Sequence, residues 1–201
     1  MDMNDNEIIN DKVKHELEKI SEVSSINAAQ ALSKMINSDV KVNFLTLTMK
    51  PSDELKSLSD DMLLSACEIT GDMSGSILMA FMRENGLSLI DMLMYQNIGT
   101  QKEINEDAIG VITELTNVVG GAYLSSLANR LSCRIFPSPP IFFSDMKDFN
   151  DKIQLKIQDD TGNIFLIKTV MVINSINLES NFYFMLNRES LDGMLKVLNE
   201  G

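Results

Sequence analysis

The stretch Asn27-Ala-Ala-Gln-Ala-Leu-Ser-Lys-Met-Ile36 aligns with Ala122-Tyr-Leu-Ser-Ser-Leu-Ala-Asn-Arg-Leu131, which lies 95 residues further along the chain. A second similarity relates the segments that begin at Ser76 and Asn181, since each ends in arginine and precedes a predicted helix. Two similarities in the same order indicate a chain built from two copies of one unit. The sequence therefore predicts a single domain over residues 1–201 made of two repeats, at about 7–98 and 104–200.

Hydrophobic periodicity predicts nearly the same order of elements in both repeats. The first repeat is predicted to contain a long helix at about 7–37, strands near 40–49, 62–70 and 75–83, and a helix at about 86–97. After a hinge that starts at Gly99, the second is predicted to contain a long helix at about 105–132, strands near 133–144, 151–158, 163–174 and 180–187, and a closing helix at about 189–199. Because short turns join consecutive strands, the sheet is expected to be antiparallel. The predicted fold class is α+β with internal pseudo-twofold symmetry and two equivalent long helices on the sheet.

Composition narrows the classes of partner and compartment. The formal charge of −12 argues against nucleic acid and anionic membrane as partners. The chain has no apolar run long enough to span a bilayer, and its first residues are acidic where a signal peptide would be basic. Cys67 and Cys133 both lie in strand-like apolar segments, so we expect unpaired, buried thiols and a cytoplasmic location.

The second long helix carries an acid and an amide, Glu114 and Asn117, one turn apart. At about 100° per residue they share one narrow stripe. The stripe consists of Gly110, Glu114, Asn117, Gly121, Ser125 and Ala128. The side expected to face the core consists of Ile112, Leu115, Val119, Ala122, Tyr123 and Ser126. A solvated helix face normally carries charged residues throughout, so the small residues of the stripe predict a surface that another molecule can approach, with Gly110, Gly121 and Ser125 as partner-binding positions.

Packing of the helix on the sheet is the alternative reason for the glycines. A glycine inside a helix costs about 1 kcal/mol relative to alanine, so Gly110, Gly120 and Gly121 need a physical reason. Either close approach of a partner or close approach of the sheet would supply that reason.

The first long helix does not carry the acid and amide. The offset of 95 places Lys19 at the position of Glu114 and Glu22 at that of Asn117. His15, the only histidine of the chain, falls on the exposed side and is expected to be an ordinary solvated side chain. A single histidine and the lack of a Cys/His cluster predict no metal site and give little support to a Ser-His-Asp triad.

Glu114 and Asn117 are followed by Pro139, 22 residues after the asparagine. This set resembles the signature of the CheC–CheX–FliY family of bacterial chemotaxis phosphatases, and Asn117-Val-Val-Gly-Gly-Ala-Tyr123 is similar to the family's Asn-Ile-x-x-Gly-x-Tyr. In length and in having two repeats the chain is most similar to CheC. One departure is Gly110, which occupies the usual Asp or Ser position of the signature. The resemblance implies a CheC-like fold over nearly the whole chain and one site, in the second repeat.

The resemblance also implies an activity, hydrolysis of the aspartyl phosphate on a CheY-type response regulator. In that role Asn117 would orient the attacking water, Glu114 would pair with the active-site lysine of the receiver domain, and Pro139 would shape the strand end beside the helix. The receiver would bring its own Mg²⁺, so no cofactor of the protein's own is expected. By the same resemblance, the receptor deamidase CheD is a further expected partner.

Two other classes of function stay open. The protein could be a binding module that sequesters CheD or a receiver without turnover. It could also be a structural component of the flagellar switch, because the FliM middle domain resembles this fold without the catalytic pair. The complete set of glutamate, asparagine and proline favours catalysis, and the chain has no obvious room for the additional C-terminal domain of switch proteins.

Overall fold

The computed structural model describes residues 11–48, 55, 58–159, 163–176 and 178–200. Residues 7–10 of the first predicted helix and residue 49 of the first predicted strand lie outside this described part. The first half contains α1 (Asp11–Ile36), β1 (Val40–Thr48), β2 (Met62–Gly71), β3 (Gly75–Met82) and α2 (Arg83–Leu93). The second half contains α3 (Glu106–Leu131), β4 (Ile135–Pro137), β5 (Ile141–Phe143), α4 (Met146–Phe149), a π-helical turn (Asn150–Gln154), α5 (Leu155–Ile157), β6 (Phe165–Ile173), a 3₁₀ turn (Asn174–Ile176), β7 (Leu178–Leu186) and α6 (Arg188–Glu200).

Seven strands of the described part form one antiparallel sheet, in the order β1-β6-β7-β3-β2-β4, with β5 also paired to β2. This order is symmetric about the β3–β7 pair, since β1 joins β6 on one side and β4 joins β2 on the other. Leu78 and Tyr183 occupy the same position in the similar segments of β3 and β7, and they pair directly with each other. A pseudo-twofold axis therefore passes between them, which confirms the predicted α+β fold with internal symmetry.

The two long helices occupy equivalent positions along the chain. They end 95 residues apart, at Ile36 and Leu131, as the offset of the sequence repeat requires. Each is followed by a residue with left-handed backbone, Asn37 (φ 50°) and Ser132 (φ 51°), a conformation that non-glycine residues seldom adopt. Despite their length, neither these two helices nor any other described helix is apolar enough to span a bilayer.

The long helices lie side by side on one face of the sheet. Asn27 of α1 joins them by donating a hydrogen bond from Nδ2 to Ser126 Oγ of α3, at 3.0 Å. Beneath them, the fully buried Tyr123 contacts the rings of Phe182 and Phe184 in β7, with centroids 4.9 and 5.2 Å away. Rings at these separations pack favourably, so α3 is anchored at its centre to the middle of the sheet.

The prediction of a strand at 151–158 is wrong, because this segment is helical. The alternation of Ile153, Leu155 and Ile157 suggested a strand, but Leu155 is 57% exposed while the other two are buried. Phe149, Ile153 and Ile157 are four residues apart, so a helix places all three against the second face of the sheet. Asp145 begins the helical segment, since its side chain accepts a hydrogen bond from the backbone N–H of Asp148 at 2.8 Å.

Both cysteines are free. Cys67 lies in β2 and is buried, and this burial raises the pKa of its thiol to about 11. The thiol is therefore protonated and unreactive near neutral pH. Cys133 is only half-buried and lies in the loop between α3 and β4, so the expectation of a buried strand position is correct for Cys67 alone.

Candidate functional site

The exposed side of α3 is the one that the sequence pattern predicts. Gly110, Glu114 and Asn117 are exposed, and Gly121, one turn further on, is half-buried. The opposite side is inaccessible to solvent at Ile112, Leu115, Val119 and Tyr123. Asn105 caps the start of the helix, because its Oδ1 accepts a hydrogen bond from the backbone N–H of Ala108 at 2.9 Å. The acid and amide thus project from a well-formed helix whose other side is fixed in the core.

The three glycines of this helix differ in what surrounds them. Gly120 is buried, and a Cβ there would lie 3.4 Å from Ile77 Cδ1 and 3.9 Å from Cys67 Sγ. At Gly110 and Gly121 a Cβ would meet no atom within 4 Å. Close packing on the sheet therefore accounts for Gly120, whereas the other two leave open space on the exposed side. The packing explanation considered from the sequence therefore applies to Gly120, and approach of a partner stays a prediction for Gly110 and Gly121.

The side chains of Glu114 and Asn117 are available to a partner molecule. Among the described residues, neither side chain forms a hydrogen bond or an ion pair. The hydroxyl of Thr113, beside them, donates within the helix to the carbonyl oxygen of Ile109 at 2.9 Å. The surface consequently presents one carboxylate and one carboxamide whose hydrogen-bonding groups are unpaired within the protein, next to a threonine that is already satisfied.

A cleft of about 450 Å³ lies between this side of α3 and the chain that joins β4 to β5. Its helical side is formed by Gly110, Thr113, Glu114 and Asn117, and its other side by Pro137, Ser138, Pro139 and Pro140. The structure thus brings Pro139 to the same cleft as Glu114 and Asn117, although 22 residues separate it from the asparagine.

The residues 137–140, called the cleft wall below, interrupt the strand predicted at 133–144. The observed strands are β4 and β5, of three residues each, because proline cannot donate a hydrogen bond to a neighbouring strand. Ser138 holds the wall to β2, where its N–H donates to the carbonyl oxygen of Glu68 at 2.8 Å and its Oγ accepts from the N–H of Glu68 at 3.0 Å. The sequence reasoning missed Ser138, whose signal was its place as the one non-proline residue in Pro-Ser-Pro-Pro.

Ser125 lies in a different depression from the acid and amide. It is exposed and lines a groove of about 740 Å³ between α1 and α3, together with Asn27, Lys34 and Arg130. Ala122 and Ser126, expected on the core side, also line this groove. Of the predicted site residues, Gly110, Glu114, Asn117 and Pro139 therefore meet in the cleft, Gly121 extends the exposed side beyond it, and Ser125 belongs to the adjoining groove.

The equivalent surface of the first repeat has different side chains. His15, Lys19 and Glu22 are all exposed on α1. Ile26 stands at the position of Gly121 and is 41% exposed, and it lines a depression beside β1 with Glu22. A branched apolar side chain thus occupies the space that is open in the second repeat.

Residues 63–150 match the family model described as "Chemotaxis phosphatase CheX". This segment includes all but the first residue of β2, together with β3, α3 and all residues of the cleft. The match extends over somewhat less than half of the chain, and over that part the chain is similar to the chemotaxis phosphatases.

Solved structures with the same fold include a FliY protein, CheX proteins and FliM middle domains. FliY of Thermotoga maritima is similar with a TM-score of 0.75 and 17% identity, over 96% of this chain and 98% of that chain. A chain in the CheX–CheY–BeF3–Mg complex from Borrelia burgdorferi is similar with a TM-score of 0.59 and 13% identity, over 84% and 98%. The FliM middle domain from H. pylori is similar with a TM-score of 0.64 and 11% identity, over 94% and 99%. At these identities the likeness concerns the fold.

Proposed function

We propose that this protein hydrolyses the aspartyl phosphate on a CheY-type response regulator. The observation that carries the proposal is the exposed pair Glu114 and Asn117, which has no partner among the described residues and lines an open cleft. The match of residues 63–150 to the model of a chemotaxis phosphatase family supports the class of reaction. The complex of CheX with CheY from Borrelia burgdorferi supports a receiver domain as the partner.

The reaction demands little covalent chemistry from the protein. An acyl phosphate is already labile, and the receiver domain holds it beside its own lysine and Mg²⁺. The oxygen of a water molecule forms a new bond to phosphorus while the bond between phosphorus and the aspartyl oxygen breaks. The aspartate leaves as a carboxylate, and inorganic phosphate retains the oxygen and protons of the water. The protein therefore needs only to position the water and complete the electrostatic surroundings.

Asn117 is the residue suited to positioning the water. Its carboxamide oxygen accepts a hydrogen bond while its NH₂ group donates, so one side chain can fix the orientation of a water molecule. The carboxamide also does not titrate near neutral pH, so this function would not depend on a protonation state. Its exposed position on a helix whose far side is buried would hold it rigidly in front of a docked partner.

Glu114 is suited to docking the receiver. One turn from Asn117, it would pair with the active-site lysine of the receiver and fix the angle of approach. The phosphate of the receiver is recessed, so the helix must come close to it. The absence of side chains at Gly110 and Gly121, where an added Cβ would meet nothing within 4 Å, allows that approach.

Mg²⁺ in this proposal belongs to the substrate and not to the protein. Among the described residues, no group of three or more His, Cys, Asp or Glu side chains could hold a metal ion. The supply of Mg²⁺ by the receiver stays a prediction, as does the binding of CheD.

A structural part in the flagellar switch is the second candidate. The FliM middle domain from H. pylori shares the fold over 94% of this chain, which favours that alternative. A switch component would have no need of an unpartnered acid and amide beside an open cleft, so we place it second.

Turnover at substoichiometric protein separates catalysis from binding. The test follows the decay of a radiolabelled phosphoreceiver with the protein at about one-tenth of the receiver concentration. Catalysis predicts that all of the phosphoreceiver decays faster than in the control without protein. If only a fraction equal to the added protein is affected, the protein binds the receiver without turnover and the proposal is wrong.

A further inference from the structure

The cleft wall contains one residue more than the strand opposite it. Pro137 pairs with Ile69 of β2 and Ile141 pairs with Ala66, so residues 138–140 lie opposite only residues 67 and 68. Such an insertion is a β-bulge, which bends the strand and redirects its side chains. The bend brings the wall to the cleft of Asn117.

Ser138 supplies the hydrogen bonds that attach this bulge to the sheet. The other three residues of the wall are prolines and have no N–H to donate. The N–H of Ser138 donates to the carbonyl oxygen of Glu68, and the Ser138 hydroxyl accepts from the N–H of the same residue, at 2.8 and 3.0 Å. The hydroxyl thus takes the place of a backbone carbonyl at the point where the bulge interrupts the pairing. Glu68 is itself held by an ion pair between its carboxylate and Lys156 of α5.

The first repeat shows that the bulge does not require the prolines. The pairing of β1 with β6 shifts by one residue between Val42 and Phe44, which leaves Asn43 as the extra residue. Asn43 precedes Ser138 by 95 residues, so the two bulges are at equivalent positions. After Asn43 the strand continues in register to Thr48 without a proline. The rigid proline-rich form of the bulge therefore occurs only in the repeat that carries Glu114 and Asn117.

We infer that Ser138 is a positioning residue, which fixes the cleft wall so that the phosphorylated receiver docks in one defined position relative to Asn117. The inference rests on the proposed function. A wall held in one conformation before binding loses less conformational freedom when the receiver docks, and the complex is tighter for that reason. Ser138 acts through the wall and need not touch the reacting atoms.

The test separates binding from turnover in Ser138→Ala. This variant keeps the backbone bond from Ser138 to Glu68 and loses only the hydroxyl. Binding is measured as the Kd between the protein and a receiver loaded with beryllofluoride, which mimics the phosphoryl group. We expect this Kd, and KM for the phosphoreceiver, to rise about fivefold, the factor that corresponds to one ordinary hydrogen bond. The value of kcat at saturation should stay within about twofold of wild type. Ser138→Thr retains a hydroxyl and should restore both constants.

Matched variants complete the design. Asn43→Ala alters the equivalent bulge of the first repeat and should leave both kcat and KM unchanged. Pro139→Gly keeps Ser138 but loosens the wall, so it should raise KM in the same way and serves as the second test if Ser138→Ala does not fold. If both wall variants bind the receiver like wild type while Asn117→Ala abolishes turnover, the inference is wrong and the proposed function stands. If Asn117→Ala retains turnover, the proposed function itself is wrong.

Discussion

Replacement of Gly121 by leucine should weaken docking of the receiver while leaving the fold intact or more stable. A Cβ at this position meets no atom within 4 Å, so the free protein has room for the start of the new side chain. The loss of a helical glycine should stabilise folding by about 0.5–1 kcal/mol, which corresponds to a rise in Tm of about 1–4 °C. The isobutyl group would occupy the space through which the receiver approaches. We expect Kd for the receiver with beryllofluoride to rise at least about tenfold, or roughly 1.4 kcal/mol.

Two other glycines provide matched comparisons for this prediction. Gly193 in α6 is exposed, has the same free space around its Cβ, and lines neither the cleft nor the groove of the described part. Gly193→Leu should raise Tm like Gly121→Leu without affecting binding. Gly120→Leu should lower Tm, because crowding against Ile77 in the core costs about 1–3 kcal/mol. The measurements are thermal unfolding and titration with the beryllofluoride-loaded receiver. Wild-type affinity in Gly121→Leu, or a fall in its Tm comparable to that of Gly120→Leu, would refute the reasoning.

Two further predictions concern the charged residues of the long helices. Lys19→Ala and Glu22→Ala should leave the rate of phosphoreceiver decay unchanged, because the first repeat lacks the acid and amide. Loss of activity in either folded variant would contradict the assignment of one site. Glu114→Gln should raise Kd for the receiver much more than it lowers kcat, and binding by the wild-type protein should weaken as salt is added, because the contact is a charge pair. A titration of affinity against ionic strength checks this, and a wild-type affinity independent of salt would contradict the docking role of Glu114.

The arrangement of the repeats could be predicted because it depends on patterns along the chain. A ten-residue similarity set an offset of 95, and the C-terminal ends of α1 and α3 show that offset in the structure. Helical periodicity likewise placed Glu114 and Asn117 on the exposed side of α3, since the positions of residues around a helix follow from their spacing alone.

Segment 151–158 shows that a local sequence pattern does not always distinguish a helix from a strand. Ile153 and Ile157 fit the alternation of a strand as well as the spacing of a helix, and only their neighbours in space decide between the two. Phe149 is fully buried against the second face of the sheet, and the helical conformation adds both isoleucines to the same hydrophobic cluster. That preference comes from tertiary contacts, which the sequence pattern does not show.

The far side of the cleft could not be predicted for a related reason. The motif identified Pro139, but its position opposite Asn117 depends on the pairing of β4 and β5 with β2. That register includes a bulge attached through Ser138 to Glu68, a residue 70 positions earlier in the chain. Periodicity within one segment carries no information about such a pairing.

Asn117 provides the most direct measurement of the central claim. Its proposed contribution, orientation of the attacking water, is made mainly in the transition state, so Asn117→Ala should slow single-turnover decay of the phosphoreceiver by roughly a hundredfold or more. Affinity for the beryllofluoride-loaded receiver should stay near wild type. Asn117→Asp keeps the shape of the side chain but places a negative charge near the phosphoryl oxygens, so it should be at least as slow. Turnover should be lost in both variants and binding retained in Asn117→Ala, and full turnover in Asn117→Ala would contradict the proposed function.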